Sequence, residues 1–421
     1  MLLVVFGLQT QAQQRDLDNS RPLDKRGINV FESPKDTIST FDGVRVRIGG
    51  ASTIQFQALD HESKGVWNNA QGEPSRLIEI GSNFNLPTAN LDLDVALAPG
   101  LRMHLRTYLS SRHHPEPYVK DGYIQIDGLD FIAPGFMENL MNHVTVKIGH
   151  MENNYGDAHF RRSDNAQTIY NPFVGNLIMD AFTTEVGAEV YYRHSGFLAM
   201  AGTSNGKLNQ SVANPSANGV SWLAKIGYDN AEFADPDGLR FRLTGSLYRT
   251  HQVPNSYLYS ADRAGSRYYL VMEEIGASPS ANFSSGRYNP AFGNKVTAFM
   301  VNPFLKYGGL EFFGTVELAE GKRSAQNLNR KFTQLAGELI YRFGEEENFY
   351  LGGRYNTVNG DDVSGVEIDI NRMQLSAGWF MTKNVLAKIE YVNQNYDGFL
   401  PNSRFHEGKF NGVMVEAAIS F

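Results

Sequence analysis

The sequence predicts an all-β fold, a transmembrane antiparallel β-barrel of about 16 strands, with 18 strands as the alternative. Three observations predict it. The final strand alternates apolar with other residues and stops on an aromatic residue, Phe421. Earlier strands carry bulky apolar residues on one face and charged residues on the other, as a sheet between lipid and water requires. Tight turns and long loops also alternate along the chain, as they do in such barrels.

The C-terminal strand is the clearest single element. Val413, Val415, Ala417 and Ile419 alternate up to Phe421, and a period of two indicates a strand with one apolar face. We expect this strand to pair with the first strand and close the barrel. A half-buried terminal strand of a soluble β-sandwich is the alternative. The sorting of connections by length favours the barrel, because a sandwich has no reason to sort its loops in this way.

Composition excludes several classes of protein. The chain has 421 residues of which 42% are hydrophobic, and no run approaches the roughly 18 apolar residues that a spanning helix needs. Cys is 0, which excludes thiol chemistry and Cys-ligated metal. The net charge of −7 disfavours nucleic acid as a partner. The sequence predicts no cofactor and no metal site.

The N-terminus predicts export. Residues 2–8 form a short apolar core, and Thr10-Gln11-Ala12 is a suitable cleavage site. Residues 1–12 are therefore interpreted as a signal peptide whose start is missing, since no basic residue precedes the core. We expect residues 13–42 to be a periplasmic N-terminal segment and residues 43–421 to be the barrel in a bacterial outer membrane. Both termini would then be periplasmic.

The alternation predicts strands near 44–58, 78–97, 101–110, 118–127, 143–150, 182–194, 197–205, 219–229, 238–250, 295–307, 309–320, 331–343, 348–357, 366–380, 384–396 and 410–421. Connections after odd-numbered strands are long, and those after even-numbered strands are mostly tight. One exception is 128–142, a longer connection in which one or two helical turns are expected.

Two predicted strands are irregular. Near Asn371 and Arg372 the alternation slips by one position, which predicts a bulge or a strand end above the membrane. Pro303 makes the tenth strand less regular.

Several segments resemble the phosphate-selective porin O/P family of bacterial outer-membrane porins. Tyr-Val-Lys-Asp-Gly-Tyr at 118–123 is similar to that family's Lys-Asp-Ala-Tyr strand. Val-Lys-Ile-Gly-His at 146–150 is similar to its strand before a Pro-Phe-Gly-type loop, although Asn154-Tyr155 replaces the Pro-Phe. Gly-Trp-Phe at 378–380, Asn-Val at 384–385 and Glu-Tyr-Val at 390–392 are similar to its closing hairpin. The resemblance implies a passive channel of 16 or 18 strands and does not by itself carry a preference for phosphate.

The inner face of the predicted barrel is rich in charge. We expect the following residues to line the lumen: Arg45, Arg47, Asp92, Asp94, Arg102, Arg106, Lys147, Arg240 and Arg242. Some would form cross-strand salt bridges, such as Asp92 or Asp94 with Arg102 or Arg106. A barrel of this size is too wide for wall side chains to fill, so a water-filled lumen is expected. Cations concentrate in the first nine strands, and that bias would favour small anions.

The loop at 151–181 is predicted to fold into the barrel and narrow it. Asp157, Arg161, Arg162 and Asp164 are its charged residues, and its aromatic residues could pack against the wall. Arginines at the narrowest point would have the strongest field, which predicts a mild anion preference. A solvated surface loop is the alternative.

The sequence therefore predicts a porin, a passive channel for small hydrophilic solutes. Its partners would be outer-membrane lipid and small hydrophilic or anionic solutes, with a homotrimer as one option. The first alternative is a non-conducting barrel, plugged by its loops or N-terminal segment, that serves as a partner or scaffold in an envelope complex. A weaker alternative is an outer-membrane lipid hydrolase using Ser204. His113, His114 and Glu116 are metal-ligating residue types, but adjacent histidines rarely bind one ion together, so these residues are interpreted as a solvated loop.

Overall fold

The computed structural model describes residues 16–36, 38–112, 117–205, 219–235, 238–251, 253, 255–260, 262–323 and 328–421. The strands are β1 Arg45–Glu62, β2 Asn83–Ala98, β3 Leu101–Leu109, β4 Tyr118–Ile126, β5 Val144–Glu152, β6 Thr184–His194, β7 Phe197–Ser204, β8 Ser221–Asp229, β9 Arg240–His251, β10 Lys295–Tyr307, β11 Leu310–Lys322, β12 Arg330–Phe343, β13 Phe349–Asp361, β14 Glu367–Thr382, β15 Val385–Asp397 and β16 Gly408–Ser420. One helical turn, α1 (Glu138–Met141), lies in the connection where helical turns were predicted. No helix in these described ranges is long and apolar enough to cross a membrane.

The strands form one closed barrel. Each strand is antiparallel to both neighbours, and β1 pairs with β16 from Ala51 opposite Ser420 to Glu62 opposite Lys409. The predicted fold class and the closing role of the C-terminal strand are confirmed. Because antiparallel strands reverse at every connection, the start of β1, the end of β16 and the connections after even-numbered strands, most of them short, meet at one rim, here called the short-turn rim. The opposite rim, which carries most of the long connections, is the long-loop rim.

The outer face of the wall is apolar and the inner face is buried. Side chains alternate between the two faces of each strand, so Leu339 and Tyr341 are exposed outside while Glu338, Ile340 and Arg342 are buried inside. The same pattern repeats around the barrel, with exposed outer residues that include Ile48, Leu91, Ile148, Leu243, Phe299, Leu318, Leu375 and Ile389. An apolar band outside a polar wall is what a lipid bilayer requires.

The bulge predicted near Asn371 and Arg372 is wrong. β14 pairs with β13 without a register shift from Glu367 to Trp379, and its only irregularity is a shift against β15 between Phe380 and Thr382. The alternation slips because the residues facing inward become apolar near the long-loop rim. The other option offered for this slip, a strand end above the membrane, fits Glu367, which is exposed on the outer face.

Pro303 lies within β10 without breaking it. Proline has no N–H for the ladder, and the pairing of β10 with β11 skips from Val301 to Phe304. The neighbouring Asn302 compensates, since its Nδ2 donates to the Gly314 carbonyl oxygen at 3.0 Å and to Thr315 Oγ1 at 3.0 Å. A side-chain amide therefore satisfies the carbonyl beside the proline.

Replacing Phe421 with Asp should lower the folded fraction more than replacing Ser420 with Ala. The Phe421 backbone exchanges two hydrogen bonds with Gly50 of β1, and its ring is 58% exposed on the apolar outer face. Losing the contact of that ring with lipid should cost about 1.5–3 kcal/mol, whereas Ser420 faces inward. The heat-modifiable fraction on gels measures this difference, and equal fractions would contradict the assigned strand faces.

Candidate functional site

Three segments of the chain occupy the lumen. They are the N-terminal segment (residues 16–36), the β5–β6 loop (residues 153–183) and the β9–β10 loop (residues 252–294, without 252, 254 and 261, which are not described). The wide, open lumen that the barrel size predicted is not present, because side chains and backbone of these segments pack against most of the inner wall. The candidate functional site is therefore the inside of the barrel with its inserted segments.

The N-terminal segment lies across the short-turn rim. Its contacts reach strands and turns around the barrel: Ser20 with Arg47, Lys25 with Lys383, Asn29 with Glu311, Glu32 with Arg242, and Lys35 with Val144. The segment then returns to its own start, since Asn19 N donates to Asp36 Oδ2 at 2.6 Å and Asp36 N donates to Asn19 Oδ1 at 2.7 Å. Residues 19–36 thus form a closed ring of chain across the opening.

The β5–β6 loop lies deep inside the barrel. Phe173, Val174, Ile178 and Met179 are fully buried, and the loop includes two short 3-10 turns, Ala158–Arg161 and Thr168–Tyr170. Without a strand partner, its backbone N–H groups need other acceptors. Side chains of the wall provide them: Val174 N donates to Glu390 Oε2 at 2.8 Å, Ile178 N to Asn356 Oδ1 at 2.7 Å and Met179 N to Gln334 Oε1 at 2.9 Å.

The β9–β10 loop also turns inward. Arg267, Tyr268, Val271 and Met272 are at most 1% exposed. Polar wall residues hold its backbone: Gln55 Nε2 donates to the Arg267 carbonyl at 2.6 Å, Gln57 Nε2 donates to the Tyr269 carbonyl at 2.9 Å, and Tyr269 N donates to Gln57 Oε1 at 2.7 Å. The sequence predicted only a long connection after the ninth strand, and its position inside the barrel was not predicted.

The two inserted loops share an apolar core with the wall. Loop residues such as Val174, Ile178, Val271 and Met272 pack in one cluster with inward-facing wall residues. The wall residues of this cluster include Val296, Ala298, Met300, Val358, Ile368, Ile370, Val392, Phe410 and Met414. Sequence reasoning missed them as site residues. The sequence feature that could have indicated them is an apolar residue at a position predicted to face the water of the lumen.

Asp157 anchors the β5–β6 loop to β8 and β9. Its carboxylate contacts Arg242 Nε at 2.8 Å and Lys225 Nζ at 2.6 Å, and it accepts from Thr244 Oγ1 at 2.8 Å. Burial by itself would raise the pKa of Asp157, but the charges of Arg242 and Lys225 outweigh it and lower the pKa. Asp157 is therefore an ionised, fully compensated group.

Arg161 and Arg162 are buried and paired with carboxylates. Arg161 Nη2 lies 2.6 Å from Glu311 Oε1 and 3.2 Å from Glu338 Oε2. Arg162 Nη2 lies 2.7 Å from Asp180 Oδ2, and its guanidinium stacks 3.8 Å from the centre of the Phe182 ring. The loop has the position that the sequence predicted, but its arginines hold it in place and do not face open water.

Asp164 belongs to a buried cluster that joins the two inserted loops. Lys120 Nζ of β4 lies 2.8 Å from Asp164 Oδ2 and 3.2 Å from Asp262 Oδ2. Burial, and then the nearby charge of Asp262, raise the pKa of Asp164 to about 6. The Asp164 carboxyl therefore holds its proton more tightly than an ordinary aspartate does.

The other expected lumen residues lie on the inner wall. Among the cross-strand alternatives, Arg106–Asp92 (2.7 Å) and Arg102–Asp94 (3.6 Å) are formed, together with Arg47–Asp94 (2.8 Å). Arg240 pairs with Asp229 at 2.9 Å, and Arg45 pairs with Asp42 at 2.7 Å near the rim. Most predicted wall charges are thus neutralised where they stand.

The cavities beside the inserted segments in the described part of the chain include a chamber and a vestibule. A chamber of about 150 Å³ lies between β1–β6, the N-terminal segment and the β5–β6 loop. A vestibule of about 690 Å³ lies at the short-turn rim along β6–β9. Phe31 and Glu32 of the N-terminal segment line both cavities. The N-terminal segment therefore separates the chamber from the vestibule.

Two cations of the chamber lack a carboxylate partner. Arg21 donates to the Phe160 carbonyl at 3.1 Å and stacks 3.8 Å from the centre of the Tyr170 ring. Lys147 Nζ lies over the Tyr191 ring at 5.3 Å. Neither forms an ion pair within the described residues. Lys147 was predicted as a lumen residue, whereas Arg21 was missed because its segment was expected outside the barrel.

Of Ser204, His113, His114 and Glu116, only Ser204 lies within the described residues. Ser204 faces the lumen, not the lipid, and donates a hydrogen bond to Glu185. His113, His114 and Glu116 lie outside the described residues, as does the predicted signal peptide at 1–12.

Comparison with solved structures identifies the fold. The outer-membrane channel DcaP of Acinetobacter baumannii has a TM-score of 0.54 at 12% identity, with 91% of this chain and 99% of that chain covered. The fold is that of outer-membrane β-barrels. An anion-selective porin from Comamonas acidovorans gives 0.54 at 12% identity over 90% of this chain and all of that chain. OmpT of Vibrio cholerae in its trimer form gives 0.53 at 12% identity, also over 90% and 100%.

These similarities concern the barrel as a whole. No family model matches the chain, and no curated protein matches it at a significant level. The resemblance to the phosphate-selective porin O/P family therefore stays a prediction for this barrel.

Proposed function

We propose that the chain is an outer-membrane channel of the porin type for small hydrophilic solutes, with a mild anion preference. The observation that carries this proposal is the polar chamber inside a closed barrel with an apolar outer face. The short-turn rim, with both termini, would face the periplasm, since short periplasmic turns are the rule in such barrels. The fold shared with an anion-selective porin supports the proposal.

In this proposal the β5–β6 loop constricts the channel. Asp157, Arg161, Arg162 and Asp164 would fix the loop through their ion pairs, because paired charges give little net field. The anion preference would come from Arg21 and Lys147, which have no carboxylate partner in the described residues. Low-dielectric walls around a narrow space strengthen the field of such cations.

Replacing Lys147 with Gln should shift the reversal potential under a salt gradient toward cations. The change removes from the chamber one positive charge that forms no ion pair in the described residues, and it adds no negative charge. Lys331→Gln, at an exposed outer position, removes the same charge and should leave the reversal potential unchanged. Channels in planar bilayers measure both. Identical reversal potentials for wild type and Lys147→Gln would exclude the chamber from the conducting path.

A non-conducting barrel serving as partner or scaffold in an envelope complex is the second candidate. The observation that favours it is the occupation of the lumen by three inserted segments. Wild-type protein that is folded and inserted, yet never conducts in planar bilayers, would support this candidate and refute the channel.

The number of chains in the folded protein can also be measured. A homotrimer is part of the proposal, supported by the trimer form of the similar Vibrio cholerae protein. The mass of the folded protein in detergent decides between a trimer and a monomer.

A further inference from the structure

The connection between β4 and β5 is the long exception at the short-turn rim, and it stands clear of the barrel. Residues 131–140 are all exposed. Five of them are large and apolar, with 43% to 61% of their surface exposed: Phe131, Ile132, Phe136, Met137 and Leu140. Local hydrogen bonds nevertheless shape the segment, since Gly135 N donates to Asp130 Oδ1 at 2.8 Å and Met141 N donates to the Met137 carbonyl at 2.9 Å.

Such a segment is costly to leave in water. Full burial of one large apolar side chain stabilises a protein by about 1.5–3 kcal/mol relative to exposure. Contiguous exposed apolar patches mark surfaces that contact a partner or a membrane. Five large apolar residues within ten therefore indicate that another phase or molecule covers this segment.

The position of the segment indicates what covers it. Aromatic side chains flank the apolar band of membrane barrels where it meets the headgroups. On the short-turn side, β6–β14 provide exposed aromatic residues: Tyr192, Phe197, Tyr307, Phe343, Phe349 and Trp379. The corresponding ends of β1–β5, all of them described, carry aliphatic residues instead: Val46, Leu97, Leu101, Ile126 and Val144. The exposed segment begins just after β4, inside this aromatic gap.

We propose that residues 131–140 lie in the lipid leaflet at the short-turn rim and supply the aromatic anchor that β1–β5 lack. Phe131 and Phe136 would lie at the boundary between headgroups and acyl chains. Residues 128–142 contain no Lys or Arg, so the contact would depend on apolar burial and would persist at high salt. The inference requires insertion of the barrel in a membrane and is independent of whether it conducts.

The Cys-free sequence allows a clean test. Phe136→Cys, labelled with a nitroxide and reconstituted in phosphatidylethanolamine and phosphatidylglycerol vesicles, reports depth through its collisions with oxygen and with a water-soluble nickel chelate. We expect the ratio of oxygen to nickel collisions to be several-fold higher at Phe136→Cys than at Glu345→Cys, which lies in an exposed turn of the same rim. Ile148→Cys, on the outer face of β5, provides the lipid reference.

A matched position within the segment sharpens the test. Glu138→Cys should give a lower ratio than Phe136→Cys, because the carboxylate position would face the water side of the interface. Heat-modifiability of each labelled variant establishes that it is folded. A ratio at Phe136→Cys equal to that at Glu345→Cys would overturn the proposal and leave a protein partner as the occupant of the segment.

Discussion

Replacing Arg161 and Arg162 together with Glu should expel the β5–β6 loop from the lumen and raise the conductance of the barrel. Both arginines are 3% exposed, and their partners are buried carboxylates of the wall and the loops. Removing one partner of a buried ion pair costs about 3–5 kcal/mol, and the added negative charges would repel Glu311 and Glu338. Single-channel recording in planar bilayers measures the outcome.

The double variant Arg249→Glu with Lys331→Glu is the matched control. It changes the charge by the same amount at two exposed positions, so it should insert and conduct as the wild type does. If the Arg161 and Arg162 variant is heat-modifiable yet keeps wild-type conductance, the loop does not control the lumen.

Acidification through pH 6 should favour the closed, loop-inserted state. The pKa of Asp164 is raised from its ordinary 3.8 to about 6 by burial and by Asp262, so the inserted loop binds this proton more tightly than a released loop would. The stabilisation therefore grows as the pH falls through about 6 and is complete below the ordinary pKa. A shift of this size corresponds to at most about 3 kcal/mol.

The charged groups around Asp164 do not cancel this effect. Lys120 and Arg162 remain cationic over this range, and the pKa values of Asp262 and Asp180 are lowered by nearby cations despite their burial. Open probability should thus fall between about pH 7 and pH 5, and Asp164→Asn should reduce that change. An unaltered pH profile in Asp164→Asn would assign the titration to another group.

Most of the fold could be predicted from the alternation of apolar and polar residues along each strand. The 16 strands and the closing of the barrel by the C-terminal strand were predictable because the two faces of each strand meet different phases. The lengths of the connections could also be read from the sequence, and they indicated which rim carries the long loops. Strand ends differed by a few residues, since nothing in the sequence states how far a strand continues above the membrane.

The contents of the lumen were harder to predict. The β5–β6 loop was expected inside on its aromatic residues, but the partners of Arg161 lie far along the chain, as with Glu338 at a separation of 177 residues. Ile368 and Ile370 did carry a local signal, which was interpreted as a bulge. An apolar residue on the inner face is better explained by a protein core inside the barrel than by an irregular strand.

The ring formed by the N-terminal segment has a consequence for the order of folding. Ser420 Oγ donates to the Leu23 carbonyl across a separation of 397 residues, and Lys25 N donates to the Lys383 carbonyl at 2.8 Å in the β14–β15 turn. These contacts require strands that are last in the chain, and contacts between distant residues form slowly. A segment that is synthesised before every strand therefore docks only when the sheet closes, so one late step completes both the barrel wall and the packing of the N-terminal segment inside it.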